Sequence, residues 1–242
     1  MTMKTRIYIQ TCHGREKHLW AMLQSLVESG YPSQEIERLT ICVDGDASVV
    51  DGGTPFDVVQ LSRQSKGNLR TFMAIMSRAF AEGQPGDRML FFEDDISFCK
   101  NALTRMLRVG VPSGCAFTTF FDMKEFFPGT PYGLYRVPLQ GVDGRGFWGL
   151  QAVMFPHETV KAFHESVVPA QQAEKLKSHS DMVLVKALGA QYESYCGHVP
   201  CLVEHEGATD SAIWKFDEHE INRRATNYRH GGFDAASLPV YS

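Results

Sequence analysis

Glu93, Asp94 and Asp95 stand together at the end of the apolar run Met89-Leu90-Phe91-Phe92, and Ile96-Ser97-Phe98 turns apolar again at once. Three adjacent carboxylates repel one another and resist burial. A cation relieves that cost. Hard divalent ions such as Mg2+ and Mn2+ take oxygen ligands and bridge readily to phosphates. A solvated acidic turn is the plainer alternative, and this segment alone does not separate the two. A second acidic turn, Asp44-Gly45-Asp46, also closes an apolar run. The loop Ser62-Arg63-Gln64-Ser65-Lys66-Gly67-Asn68 is basic and polar. Arg63 and Lys66 suit phosphate contacts, and the glycine permits close backbone approach. A solvated turn before a helix fits the same loop. Asp181 precedes an apolar helical stretch, where Ser178 as N-cap with Asp181 in the first turn is a sufficient structural role.

The elements that position these groups follow from apolar spacing. Arg6 to Cys12, Leu39 to Val43, Phe56 to Leu61 and Met89 to Phe92 read as strands. A helix pattern separates the first two, with Leu19, Trp20, Leu23, Leu26 and Val27 at three- and four-residue spacing, and Gly30-Tyr31-Pro32 stops it. Leu69 to Glu82 is a second helix and Asn101 to Val109 a third. Strand, helix and strand in succession make a βαβ unit, whose strand ends share one edge of a parallel sheet. Ligands bind at that edge. Cys115 to Phe121 reads as another buried strand. The Phe-, Pro-, Gly- and Tyr-rich stretch Asp122 to Gly146 reads as an ordered loop with room for a hairpin. Phe147 to Pro156 alternates into a strand, His157 to Val167 is a helix, and Tyr192 to Cys196 is strand-like.

The 242 residues allow one large domain with an extensive core. We expect a single α/β domain over 1–216 and a polar C-terminal tail over 217–242. A net charge of -4 gives no general attraction to nucleic acid or anionic membrane. No apolar run approaches the roughly 18 residues of a membrane span, and no signal-peptide core precedes the first strand. A cytoplasmic protein, bacterial or phage-encoded, is therefore expected. The six cysteines are scattered without a CxxC pair and are expected to be buried thiols.

The order of motifs resembles the nucleotide-sugar-dependent glycosyltransferases of the GT-A fold. Five features carry the resemblance: Thr11-Cys12-His13-Gly14-Arg15 after the first strand, Asp44-Gly45 after the second, Glu93-Asp94-Asp95, Gly146-Phe147-Trp148-Gly149, and an acid-then-helix followed by Pro200-Cys201-Leu202-Val203-Glu204-His205-Glu206-Gly207. Phe92 to Ile96 taken with His205 to Ser211 looks most like the family-2-type enzymes and the branching N-acetylglucosaminyltransferases. The resemblance implies a Rossmann-like, mostly parallel central sheet flanked by helices, with a smaller second sheet in the C-terminal half. It implies a nucleoside-diphosphate sugar as donor, a UDP-sugar first, and Mn2+ or Mg2+ as cofactor. Asp95 and His205 would hold the metal. Glu93 and Asp94 would contact the donor's sugar and ribose or hold coordinated waters. Thr11, Arg15 and Asp44 would grip the nucleotide, Arg63 and Asn68 would lie along the donor, and Gly146, Trp148 and Gly149 would shape the sugar and acceptor pocket. Asp181 would be the general base of an inverting transfer. The family often has Glu-Asp where this chain has Ser180-Asp181, which puts inversion in question.

Two further functions fit the sequence. A phage-type enzyme that glucosylates hydroxymethylated DNA bases would use the same chemistry. The basic stretch Arg223-Arg224-Ala225-Thr226-Asn227-Tyr228-Arg229-His230 allows it, and the net negative charge opposes it. A sugar nucleotidyltransferase would also use acids at strand ends, but it calls for a denser glycine loop and a lysine after the first strand. The acceptor is left open between a saccharide and modified DNA.

Overall fold

The computed structural model describes residues 3–48, 50, 55–63, 67–121, 131–140, 147, 149–173, 179–206 and 233–238. Their alternating and continuous apolar runs form β1 (Thr5–Cys12), α1 (Glu16–Glu28), β2 (Ile36–Asp44), β3 (Asp57–Ser62), α2 (Asn68–Glu82) and β4 (Arg88–Glu93). There follow β5 (Ile96–Phe98), α3 (Ala102–Val109), β6 (Cys115–Thr119), β7 (Gly133–Pro138) and β8 (Ala152–Pro156). The chain continues through α4 (His157–Glu165), α5 (Val168–Ala173), α6 (Ser180–Leu188), β9 (Ser194–Val199) and β10 (Val203–His205), and a 3-10 turn spans Ala235–Ser237.

Eight strands make one sheet in the order β3-β2-β1-β4-β8-β6-β9-β7. The pairs β3·β2, β2·β1, β1·β4 and β6·β9 are parallel, whereas β8 and the edge strand β7 run antiparallel to their neighbours. This is the expected mixed α/β architecture with a mostly parallel central sheet between helices. Side chains alternate across it, as the two-residue strand period requires. Ile7, Ile9, Leu90 and Phe92 face a core built with α1 and α3. Tyr8, Met89 and Phe91 face the opposite core, built with α2, α4 and α6. Phe72 of α2 anchors that second core, with ring centroids 5.1 Å from Phe91 and 5.3 Å from Phe163. None of the six cysteines is in a disulfide, and five of them are buried.

Three features differ from the sequence reading. The small second sheet pairs β10 with β5, so one of its two strands comes from the first half of the chain. With three residues each, β5 and β10 are too short to leave a periodic signature. Within the expected loop, β7 pairs with β9, far along the chain, and among the described residues it has no local hairpin partner. Its half-exposed residues supply no continuous apolar run. The 3-10 turn near the C-terminus returns to the domain: the Ala235 N–H donates to the Lys100 carbonyl at 2.9 Å, and Ala235 and Leu238 join the core beside α3. The basic stretch 223–230 lies outside the described residues. None of the described helices is long and apolar enough to cross a membrane.

Candidate active site

Because β1, β2, β3 and β4 are parallel, their carboxyl ends meet along one edge of the sheet. The turns after β1 and β2 touch there. The His13 N–H donates to the Asp44 carbonyl at 3.2 Å, and a Cβ on Gly45, whose φ is +114°, would come within 3.1 Å of the His13 Cβ. That close approach and left-handed backbone require glycine. Asp44 is buried, and its Oδ2 accepts from the Gly67 N–H at 3.1 Å, tying the β2 end to the start of α2.

Three acids stand at the end of β4, Glu93 as its last residue, and each is held differently. Asp94 is buried; its Oδ2 accepts from Thr11 Oγ1 at 2.6 Å, and its two oxygens accept from Arg15 Nε at 2.9 and 3.0 Å. Asp95 Oδ2 accepts from Arg15 Nη2 at 2.6 Å and faces His205 Nε2 at 3.3 Å. Glu93 Oε1 receives the amide of Asn68 at 3.4 Å. Burial pushes the Glu93 carboxyl up to about 7, helped by the negative charge of Asp95. Burial also raises Asp94 to about 6, against the pull of Arg15. At Asp95 burial acts in the same direction, but His205 and Arg15 outweigh it and hold this carboxyl below the usual range. The three neighbours therefore divide the charge: Asp95 is ionised, and Glu93 is the acid most ready to keep a proton.

His205 reaches this place through the small sheet. Its pairing with Ile96 sets it across from the residue after Asp95, and the Glu206 N–H donates to the Asp95 carbonyl at 2.7 Å. The Phe121 ring packs edge-on to the imidazole, with centroids 6.2 Å apart.

On the far side of Glu93, Ser180 Oγ donates to Asn68 Oδ1 at 2.6 Å. A chain Ser180–Asn68–Glu93 thus joins the first turn of α6 to the end of β4. Asp181, the next residue, accepts from the Met182 N–H at 3.0 Å and from the backbone N–H of Gly149. Burial raises its carboxyl above the ordinary value of 3.8. The cap of α6 is not the expected one: His179 occupies the N-cap position and its side chain does not cap the helix, and Ser178 lies outside the described residues.

Thr11, Arg15, Asn68, Glu93, Asp94, Asp95 and His205 are thus in one contact network, with Asp181 and Gly149 beside it. Asp44 stands one strand away, and Arg63 is exposed just past β3. Lys66, Gly146 and Trp148 lie outside the described residues. The role of Ser180 in the network escaped the sequence reading. A serine before the expected acid of an apolar helix was the available signal.

A divalent ion can be tested against these groups. Asp95 Oδ1 is buried without a hydrogen-bond partner, and Asp95 Oδ2 lies beside the imidazole Nε2 of His205. Among the described residues no group of three or more His, Cys, Asp or Glu side chains forms a cage. One carboxylate and one imidazole suit an ion that takes its other ligands from water and substrate phosphates, as Mg2+ commonly does.

No protein-family model matches the chain, and no curated protein matches it. Among solved structures it is similar to the glycosyltransferase TarS of S. aureus, with 15% identity and a TM-score of 0.51 over 81% of this chain and 35% of that one. The TarS 1-349 structure gives 15% identity and a TM-score of 0.50 over 82% of this chain and 58% of that one. The glycosyltransferase GlyE of Streptococcus pneumoniae TIGR4, in its apo form, gives 9% identity and 0.46 over 79% and 44%. The chain thus spans less than two thirds of each of these proteins. The TarS likenesses show a shared fold.

Proposed function

We propose that this chain is a glycosyltransferase that moves a sugar from a nucleoside-diphosphate sugar, a UDP-sugar first, to an acceptor hydroxyl with inversion. The observation that carries the reading is the Ser180–Asn68–Glu93 chain, which couples the Asp181 helix to the acidic strand end. A donor-side acid cluster and an acceptor-side carboxylate are what an inverting transfer needs on one sheet edge. The TarS fold supports the same reading.

In this reading Thr11, Arg15 and Asp44 hold the nucleotide, Arg63 and Asn68 lie along the donor, and Gly149 borders the sugar. Asp95 and His205 hold Mn2+ or Mg2+, with Glu93 and Asp94 next to it. The ion would stabilise negative charge on the departing diphosphate. Asp181 takes the proton of the acceptor hydroxyl as its oxygen attacks the anomeric carbon. The bond from that carbon to the phosphate oxygen breaks, and the diphosphate leaves with the electron pair. The raised affinity of Asp181 for a proton suits a base. The backbone N–H groups of Met182 and Gly149 keep its carboxylate in place.

A thermal-shift panel of nucleotide sugars, with and without Mn2+, tests the reading. A true donor at about 100 times its dissociation constant contributes about 2.7 kcal/mol, which shifts the melting temperature by several degrees. If no nucleotide sugar shifts it in the presence of Mn2+, the reading falls.

A further inference from the structure

We propose that Arg15 is a positioning residue that competes with the divalent cation for Asp95, so that the cation is held firmly only once a diphosphate draws the guanidinium away. The inference rests on the reading above, in which Asp95 and His205 take the cation.

The geometry of Arg15 has two parts. Its Nε lies on Asp94, at 2.9 and 3.0 Å from the two oxygens, and Thr11 Oγ1 fixes the same carboxylate at 2.6 Å. Its Nη2 lies on Asp95 Oδ2 at 2.6 Å, the oxygen that faces His205 Nε2. The arginine side chain is only 15% exposed, so solvent screens these contacts poorly. A cation brought to Asp95 and His205 would meet the guanidinium as a like charge bound to the same carboxylate, in a site where charges act strongly. The ion alone is therefore opposed. A diphosphate changes the balance, because its oxygens offer the planar guanidinium fork a second anionic partner. Asp94 and Thr11 can hold the Nε side while the Nη side exchanges Asp95 for a phosphate oxygen. Arg15 would thus repel the cation in the free protein and bind the diphosphate in the complex.

The two ligands should respond to loss of Arg15 with opposite signs. Replacing Arg15 with Gln removes the competing charge and the diphosphate contact together. We expect Arg15→Gln to bind Mn2+ alone at least tenfold more tightly than the wild type, and UDP in the presence of Mn2+ at least tenfold more weakly. Arg15→Lys keeps the charge but lacks the fork, and should stay near the wild type for Mn2+ alone. Electron paramagnetic resonance of free Mn2+ and calorimetry with UDP read both quantities without turnover. Unchanged or weaker Mn2+ binding in Arg15→Gln overturns the proposal. A wild-type measurement decides the matter if the variant does not fold: saturating UDP should tighten Mn2+ at least tenfold, and no tightening overturns the proposal. Failure of the wider reading looks different. If Arg15→Gln tightens Mn2+ while no nucleotide binds either protein, the competition stands and the donor assignment falls. If nucleotide binds with Mn2+ but the variant leaves Mn2+ unmoved, the donor assignment stands and the competition falls.

Discussion

The Ser180 hydroxyl donates to the Asn68 side-chain carbonyl at 2.6 Å, joining the first turn of α6 to the first residue of α2. Asn68 in turn gives its amide to Glu93 at 3.4 Å. One amide side chain thus spans the gap between the acidic strand end and Ser180, the residue before Asp181. Replacing Ser180 with Ala leaves the Asn68 carbonyl short of a donor, at a cost of about 1–3 kcal/mol. Urea denaturation of Ser180→Ala should show that loss. Turnover should fall about tenfold with little change in donor affinity, because α6 loses its tether while the groups around Asp94 and Asp95 keep theirs. Unchanged stability and turnover would show that the contact is dispensable.

Asp181 supplies the second prediction. Asp181→Asn should retain donor binding and lose about 100- to 10,000-fold in transfer rate, the usual contribution of a positioned base. Calorimetry for the donor and product assay for transfer separate the two effects. Near-normal turnover would place the base elsewhere.

The same residue fixes a pH dependence. A base acts only when deprotonated, and burial raises the Asp181 carboxyl above 3.8. The rate should therefore hold on the alkaline side and fall by one proton as pH drops through the raised value. The acid limb of kcat/KM should have its midpoint above that of an ordinary aspartate. A limb at or below 3.8 would contradict the assignment.

Asp95 and His205 carry the metal prediction. Asp95→Ala should abolish the Mn2+-dependent part of donor binding, and His205→Ala should weaken it. Nucleotide titrations with and without Mn2+ read this directly. A donor affinity in Asp95→Ala that still rises with Mn2+ would remove Asp95 from the ligand set.

Away from the site, His198 makes stability depend on pH. It is fully buried; its Nδ1 lies 2.8 Å from the Pro200 carbonyl, and Arg105 Nε lies 3.4 Å from its Nε2. Burial lowers its pKa from 6.5 to about 4. The unfolded chain therefore binds the proton first as pH falls. The His198 contribution is complete above pH 6.5 and is lost progressively toward pH 4. His198→Gln should lose less stability than the wild type between these limits, as measured by urea midpoints. Equal losses in the two proteins would sink this account.

The sequence by itself determined the parallel half of the fold. Runs such as Met89 to Phe92 are too apolar for any place but a buried strand, and the Leu19 to Val27 spacing is helical. Parallel strands joined by helices must then end on one edge, so the gathering of Thr11, Asp44 and Glu93 near one another was already implied. Tertiary structure decided the rest, because it depends on contacts between distant residues. Pairing of β10 with β5 brought His205 to Asp95, and two three-residue strands leave no local signal. The Ser180–Asn68 bond joins two helix starts far apart in the chain, which no spacing rule connects. The division of charge among Glu93, Asp94 and Asp95 was equally hidden. Adjacent in sequence and alike in chemistry, they differ in how burial is balanced by the distant cation or donor each one meets.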